Sequence, residues 1–343
     1  MTSATKHAKE KTLSAQALKL IEPEFIEQQV CPAAFGAGGG TDYPVQAWVV
    51  QQKPGTGRVS LCYDFGERGT VFGKFYSNFY FLGTTNLGPR SFQVLQELWH
   101  EGFGEGEPYQ VVEPLAYLSD HSPILTRGAA GTCLTYLLEQ GRAELPNWMR
   151  QVAQWLARLH SSPVRVGRSE SAWDTPPLFR ILDRLTRACG QSPHSQAWLM
   201  PMVDRLYQEG QASIPGGLRV QTHGRFNTDH IFFADGAVSL IDFDRSLPSD
   251  PAKDIAEFLS SYRRWAYGAG ATTEAETATA TLLEEYRSQL PEGLKTLNLQ
   301  WGARLLFDLL GLLGSTDPEQ PTGADIEYYV QEFDEVLGEK WRS

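Results

Sequence analysis

The stretch from Gln221 to Leu259, QTHGRFNTDHIFFADGAVSLIDFDRSLPSDPAKDIAEFL, constrains the fold more than any other part of the chain. A short strand, with Leu218, Val220 and Thr222 on one side, runs into His223-Gly224 and a polar loop. Two further runs, Ile231–Ala234 and Ala237–Ile241, are separated by Asp235-Gly236, a dipeptide that tolerates the positive φ of a tight hairpin turn. Carboxylates then come in series: Asp242 and Asp244 in IDFD, Asp250 before Pro251, and Asp254 at the start of an apolar-periodic helix. Asp242 follows a buried-looking strand, so its carboxylate emerges at a strand end beside the loop, as an oxygen-donor site for a hard cation requires.

The spacing resembles the aminoglycoside phosphotransferase and choline kinase family, a branch of the protein-kinase-like fold. That family's pattern runs roughly H-G-D-x-x-x-x-N, then I-D-[FW]-[DE], then G-D-P-x-x-D-L-A. Here HGRFNTDH, IDFD and SDPAKDIA stand in those places, and Asp254 follows Asp242 by twelve positions, the family's usual interval. The resemblance covers roughly Val45 to Leu259. It implies an α+β, two-lobed kinase-like fold with an antiparallel β N-lobe, a mostly helical C-lobe and a nucleotide cleft between them. It also implies ATP and Mg²⁺ as cofactors and phosphoryl transfer to a hydroxyl of a small molecule.

The departures fall where the chemistry would be. In the family the Asp after His-Gly accepts or orients the substrate hydroxyl's proton, and the Asn five places later holds Mg²⁺. Here those positions are Arg225 and His230. Arginine is no general base, because its pKa stays above about 12 in proteins. Histidine in place of Asn weakens the second metal site or favours a softer ion such as Mn²⁺. Arg225 either pairs with Asp242 or Asp254 and closes the metal site, or grips a bound phosphate or anionic substrate through its bidentate fork. Asp229 is a further candidate for the missing carboxylate, as base or metal ligand.

Other roles follow from the resemblance. Lys74, in VFGKFY, would contact the nucleotide's α- and β-phosphates, with Glu97 on the next helix as its partner and Glu101 as runner-up. Asp242 would take the metal, with Asp244 as an outer or second-ion ligand. Asp254 would brace the loop by accepting hydrogen bonds from the backbone or from His223, itself a loop-bracing residue. Leu125–Gly128 would form the linker whose backbone reads the adenine. Trp265, Tyr267, Trp301, Tyr328 and Tyr329 fall on the late, substrate-side helices, most of them as core.

The chain of 343 residues is long enough for two lobes: a tail over 1–20, an N-lobe over 21–127 and a C-lobe over 128–343. Leu13–Gln29 is weakly amphipathic and reads as a leading helix, and the glycine-rich Gly36–Gly40 segment as a plain loop, since it lacks a G-K-[ST] ending. Val45–Gln52, Arg58–Phe65 and Thr70–Tyr76 read as an antiparallel meander. A helix capped by Ser91 runs from Phe92 to about Glu101, with Gly102 beyond its end, and Glu107–Leu118 reads as a strand pair. Asn147 caps a helix in which Val152, Trp155, Leu156 and Leu159 share a face and which ends in LARLH. Four more helices follow, at about Ala252–Trp265, Glu274–Gln289, Leu294–Leu313 and Asp325–Leu337.

A net charge of −11 disfavours nucleic acid and anionic membranes as partners. The four cysteines stand far apart with no C-x-x-C pair, as in a reduced, cytoplasmic protein. No signal peptide or membrane span is legible. Three functions remain: a divergent ATP-dependent phosphotransferase for a hydroxyl-bearing small molecule, with Asp229 or His230 replacing the base; a silent pseudokinase that binds nucleotide or a protein partner; and a nucleotidyl transfer with an inverted ATP.

Overall fold

The computed structural model describes residues 15–36, 45–53, 58–75, 87–118, 123–169, 185, 196–212, 217–313 and 323–338. The chain divides into two compact units, Met1–Trp99 with Val112–Ala129, and His100–Val111 with Ala130–Ser343. Residues 37–40 of the glycine-rich segment, the turn at 54–57 and Tyr76 lie outside the described residues.

The first unit is built on an antiparallel sheet in the order β1-β2-β3-β6-β5. Its strands are β1 (Gln46–Lys53), β2 (Arg58–Asp64), β3 (Thr70–Phe75), β5 (Pro114–Tyr117) and β6 (Pro123–Arg127). Alternation puts Val59, Leu61, Tyr63, Val71, Phe75 and Leu125 on one face, and all are buried. Their cover is the N-terminal segment, whose Ala17, Leu20, Phe25, Ile26 and Val30 pack into the same cluster. Tyr63 Oη donates to the Leu20 carbonyl at 2.9 Å. Of the segment 1–20 read as a tail, residues 1–14 lie outside the described part, and Ala17 and Leu20 are buried in this core. The cause is that a sheet's apolar face must be covered. The covering helices are short, with prolines at Pro23 and Pro32, so no long periodicity announces them.

The helix Leu87–Leu98 packs Leu87 on Ile124, with Phe92 and Tyr117 alongside. It starts earlier than expected: Ser91 is a buried position inside it, and Pro89 occupies its first turn, where a missing N–H costs nothing. A wide turn, Trp99–Phe103, ends it, with Gly102 at φ +89°.

The second unit holds a four-stranded sheet, β4-β10-β9-β7, and a two-stranded one, β11-β8. The strands are β4 (Tyr109–Val111), β7 (Thr132–Cys133), β8 (Val220–Thr222), β9 (Ile231–Ala234), β10 (Ala237–Leu240) and β11 (Leu247–Ser249). β4 runs parallel to β10, and the Trp155 indole N–H donates to the Gln110 carbonyl at 3.0 Å. This corrects the reading of Glu107–Leu118 as one strand pair: β4 joins the sheet of the second unit and β5 that of the first. Local pattern shows that a strand exists, not which sheet receives it.

The helix Leu145–Ser161 begins two residues before the expected cap, with Pro146 in its first turn, and buries Val152, Trp155, Leu156 and Leu159 completely. Helices Ala252–Gly268, Thr272–Gln289, Leu297–Leu313 and Gly323–Leu337 complete the unit, with Trp301, Tyr328 and Tyr329 buried in it. No helix among the described residues is long and apolar enough to cross a membrane. Cys31, Cys62 and Cys133 are free thiols.

Candidate active site

The loop that follows β8 is held by main-chain hydrogen bonds to one buried carboxylate. Asp254 Oδ2 accepts from the His223 N–H at 2.6 Å, and Oδ1 accepts from the Gly224 N–H at 2.8 Å. His160 Nε2 lies 3.2 Å from the same Oδ2, and His160 Nδ1 lies 2.7 Å from the Tyr286 hydroxyl. Burial first, then the Asp254 charge, pushes the Tyr286 hydroxyl far above its ordinary value, so it stays protonated and donates to Nδ1. Nε2 therefore carries the imidazole hydrogen and donates to Asp254. Helices Leu145–Ser161, Ala252–Gly268 and Thr272–Gln289 thus converge on the loop.

Gly224 cannot be replaced without moving this loop. It sits at φ +78°, and a Cβ there would lie 2.2 Å from the Arg245 carbonyl oxygen. His223 Nε2 donates to the Ile241 carbonyl at 2.8 Å, while Nδ1 accepts from the Arg225 N–H at 3.3 Å. With both ring nitrogens engaged and no exposure, His223 fastens the loop to the end of β10. Phe226 is buried beneath, between the rings of Trp155 and Phe258.

The hairpin β9–β10 turns through Asp235 and Gly236, both at positive φ, with Ala234 opposite Ala237. Beyond it Asp242 adopts φ +68°, ψ +56°, which aims its carboxylate back toward the loop. Three groups meet there: Asp242 Oδ2 lies 3.4 Å from His230 Nε2 and 3.7 Å from Arg225 Nη1. His230 Nδ1 lies 2.9 Å from the Arg225 carbonyl oxygen. Burial lowers the His230 imidazole to about 4, against the opposing pull of Asp242, so the ring is neutral at pH 7. The donors suit a divalent cation, because a carboxylate oxygen and an imidazole lone pair point at one another.

The other acids stand apart from that pair. Asp229 Oδ1 accepts from Thr135 Oγ1 at 2.7 Å, and the same hydroxyl lies 2.8 Å from Thr228 Oγ1. Asn227 caps the short turn Thr228–His230 by accepting the Asp229 N–H. Asp244 is buried within the turn Phe243–Arg245. Among the described residues, no group of three His, Cys, Asp or Glu side chains is disposed to hold a metal. A cation at Asp242 would need water or phosphate oxygens to complete its shell, as Mg²⁺-type sites commonly do.

In the first unit, Lys74 lies on β3 opposite Ser60 and Ile124, on the sheet face away from the apolar core. Phe72, 37% exposed, shares that face. Glu97 accepts from Gln93 Nε2 at 2.8 Å, and no ion pair joins it to Lys74 among the described residues. Glu101 stands in the kinked turn of the second unit.

The roles of His160, Tyr286 and Thr135 escaped the sequence. The LARLH ending marked His160's location, but its partners come from helices about a hundred residues away, and Tyr286 and Thr135 carried no signal.

The fold has solved counterparts, all distant in sequence. Choline kinase from Cryptosporidium parvum superposes with a TM-score of 0.59 at 13% identity, covering 94% of this chain and 96% of that one. A choline/ethanolamine kinase family protein from Mesorhizobium loti gives 0.58 at 13%, covering 94% and 93%. A thermostable mutant of aminoglycoside phosphotransferase APH(4)-Ia, in a ternary complex with AMP-PNP and hygromycin B, gives 0.57 at 14%, covering 94% and 100%. No curated protein sequence matches the chain significantly. These likenesses define a protein of the kinase-like fold. The family model described as "Phosphotransferase enzyme family" matches residues 68–292, and the chain belongs to that family.

Proposed function

We propose that the protein is an ATP-dependent phosphotransferase acting on a hydroxyl of a small molecule, through a loop that lacks the usual carboxylate base. The observation that carries this reading is Asp242: a carboxylate at a strand end, in left-handed backbone, with an oxygen facing the His230 ring nitrogen at 3.4 Å. Family membership and the AMP-PNP bound by APH(4)-Ia support nucleotide use. Asp242 would hold a divalent cation, whose charge would neutralise the phosphate oxygens when bound. Lys74 would contact the α- and β-phosphates, with Glu97 exchanging its Gln93 bond for the lysine. Arg225, about one-third exposed, would set its guanidinium against the transferring phosphoryl group. Phosphoryl transfer depends mostly on positioning and charge neutralisation, so a missing base slows it without forbidding it.

One observation favours a second reading. The Arg225–Asp242 ion pair at 3.7 Å places a fixed cation beside the metal-binding carboxylate, the arrangement of a pseudokinase that binds nucleotide or a protein partner without turnover. Calorimetry of ATP with and without Mg²⁺, followed by transfer assays on a panel of hydroxyl compounds, separates the two. The phosphotransferase reading expects metal-dependent binding and a transfer that Asp242→Ala abolishes. Turnover unchanged in that variant would refute the mechanism, and absent turnover in the wild type would favour the pseudokinase.

A further inference from the structure

We infer that Tyr286 is a positioning residue for the active loop: its buried hydroxyl aims the His160 imidazole at Asp254, and through Asp254 it sets the backbone from which Arg225 projects. The catalytic consequence rests on the phosphotransferase reading; the structural role does not.

The path is one line of hydrogen bonds away from solvent. Tyr286 Oη donates to His160 Nδ1 across 2.7 Å, and His160 Nε2 donates to Asp254 Oδ2 across 3.2 Å. Asp254 in turn takes the His223 and Gly224 amides at 2.6 and 2.8 Å. Arg225 follows directly, its own N–H on His223 Nδ1 at 3.3 Å. Tyr286, Asp254 and His223 show no exposed surface, and His160 is 1% exposed.

The last torsion of a histidine is broad, so one contact with a carboxylate does not fix the plane of the ring. The Tyr286 hydroxyl supplies the second point, on the other ring nitrogen, and the two rings meet edge-on at 5.8 Å. The hydroxyl is itself seated. The turn Pro291–Leu294 brings Gly293 so close that a Cβ there would lie 2.4 Å from Tyr286 Oη and 2.9 Å from Cε1. The neighbouring Glu285 accepts from Gln154 at 2.9 Å, which ties the Tyr286 helix to the helix that carries His160. A ring that only filled the core would need no hydroxyl, because a buried O–H is costly unless bonded. Its removal leaves His160 Nδ1 as a buried acceptor without a donor and frees the ring to turn.

The test compares the full chain as wild type, Tyr286→Phe and Gly293→Ala by native-state amide exchange. In Tyr286→Phe the His223 and Gly224 amides should exchange at least ~10-fold faster. The Val238 amide, bonded to the Pro108 carbonyl at 2.9 Å in the same unit, should change less than about threefold. Gly293→Ala, which displaces the hydroxyl but keeps it, should give the same pattern. Proton NMR of the wild type should show the His160 Nε2 hydrogen far downfield, as for an N–H held by a carboxylate, and Tyr286→Phe should move it upfield. In ATP turnover kcat should fall about tenfold, with KM for ATP within about twofold.

Unchanged loop amides in Tyr286→Phe, or a rise shared equally by Val238, would overturn the inference, as would a raised KM at unchanged kcat. Should that variant not fold, Gly293→Ala carries the comparison. Should neither fold, the wild-type proton decides: its absence overturns the inference. Faster loop exchange in a protein without turnover would uphold the structural role of Tyr286 and sink the phosphotransferase reading. Turnover with unchanged loop amides in Tyr286→Phe would do the reverse.

Discussion

Replacing Asp254 by Asn removes one charge and one acceptor from a side chain that shows no exposed surface. The carboxylate receives three donors: the His223 N–H at 2.6 Å and His160 Nε2 at 3.2 Å on Oδ2, and the Gly224 N–H at 2.8 Å on Oδ1. An amide has one oxygen. Its better placement keeps that oxygen toward His223 and His160 and turns the NH2 into the Gly224 N–H, donor against donor. The lost charge-assisted hydrogen bond costs about 1.5–3 kcal/mol, and the orphaned buried N–H about 1–3 kcal/mol more. The remaining two bonds also weaken once the acceptor is neutral. Asp254→Asn should therefore destabilise the second unit by about 3–5 kcal/mol, a large share of the ~5–15 kcal/mol that keeps a domain folded. Urea unfolding at pH 7, comparing midpoints at equal slopes, gives the magnitude, and amide exchange at His223 and Gly224 gives the location. A loss below about 1 kcal/mol with unchanged protection of those two amides would refute the assignment of Asp254 as the anchor of the loop.

His230 supplies a pH dependence. Its folded value, about 4, lies below the 6.5 of a free imidazole, so between those values the unfolded chain binds more protons and stability rises with pH. In chelator, the wild type should lose about 2 kcal/mol more than His230→Asn on going from pH 7 to pH 5; parallel curves for the two proteins would contradict a buried neutral imidazole. Leu20→Ala, at a side chain 2% exposed, should cost about 2–5 kcal/mol of first-unit stability in thermal unfolding, whereas a residue in a tail would cost nothing.

The loop-hairpin-helix segment was legible because each of its parts is local. Asp235-Gly236 marks the turn, the alternation on either side marks the strands, and Asp250-Pro251 opens the helix that carries Asp254. The meander and the late helices were readable for the same reason, by periods of two and of about 3.6 residues. Helix starts slipped at Ser91 and Asn147, since a proline in the first turn opened each helix upstream of the expected cap.

The sequence by itself determined the elements of this protein, the family pattern and the two substitutions, Arg225 and His230, that set it apart. Only the tertiary structure decided what those substitutions face. The Arg225 guanidinium turns to Asp242 rather than Asp254, whose oxygens are already taken by two loop amides and His160. His230 Nδ1 turns to the Arg225 carbonyl, and its Nε2 lies 3.4 Å from Asp242 Oδ2. The reach of β4 into the second sheet and the cover of the first sheet by residues 15–35 were likewise decided by packing. Side-chain direction and strand partnership depend on contacts distant in sequence, and a single chain's local pattern does not encode which of them form.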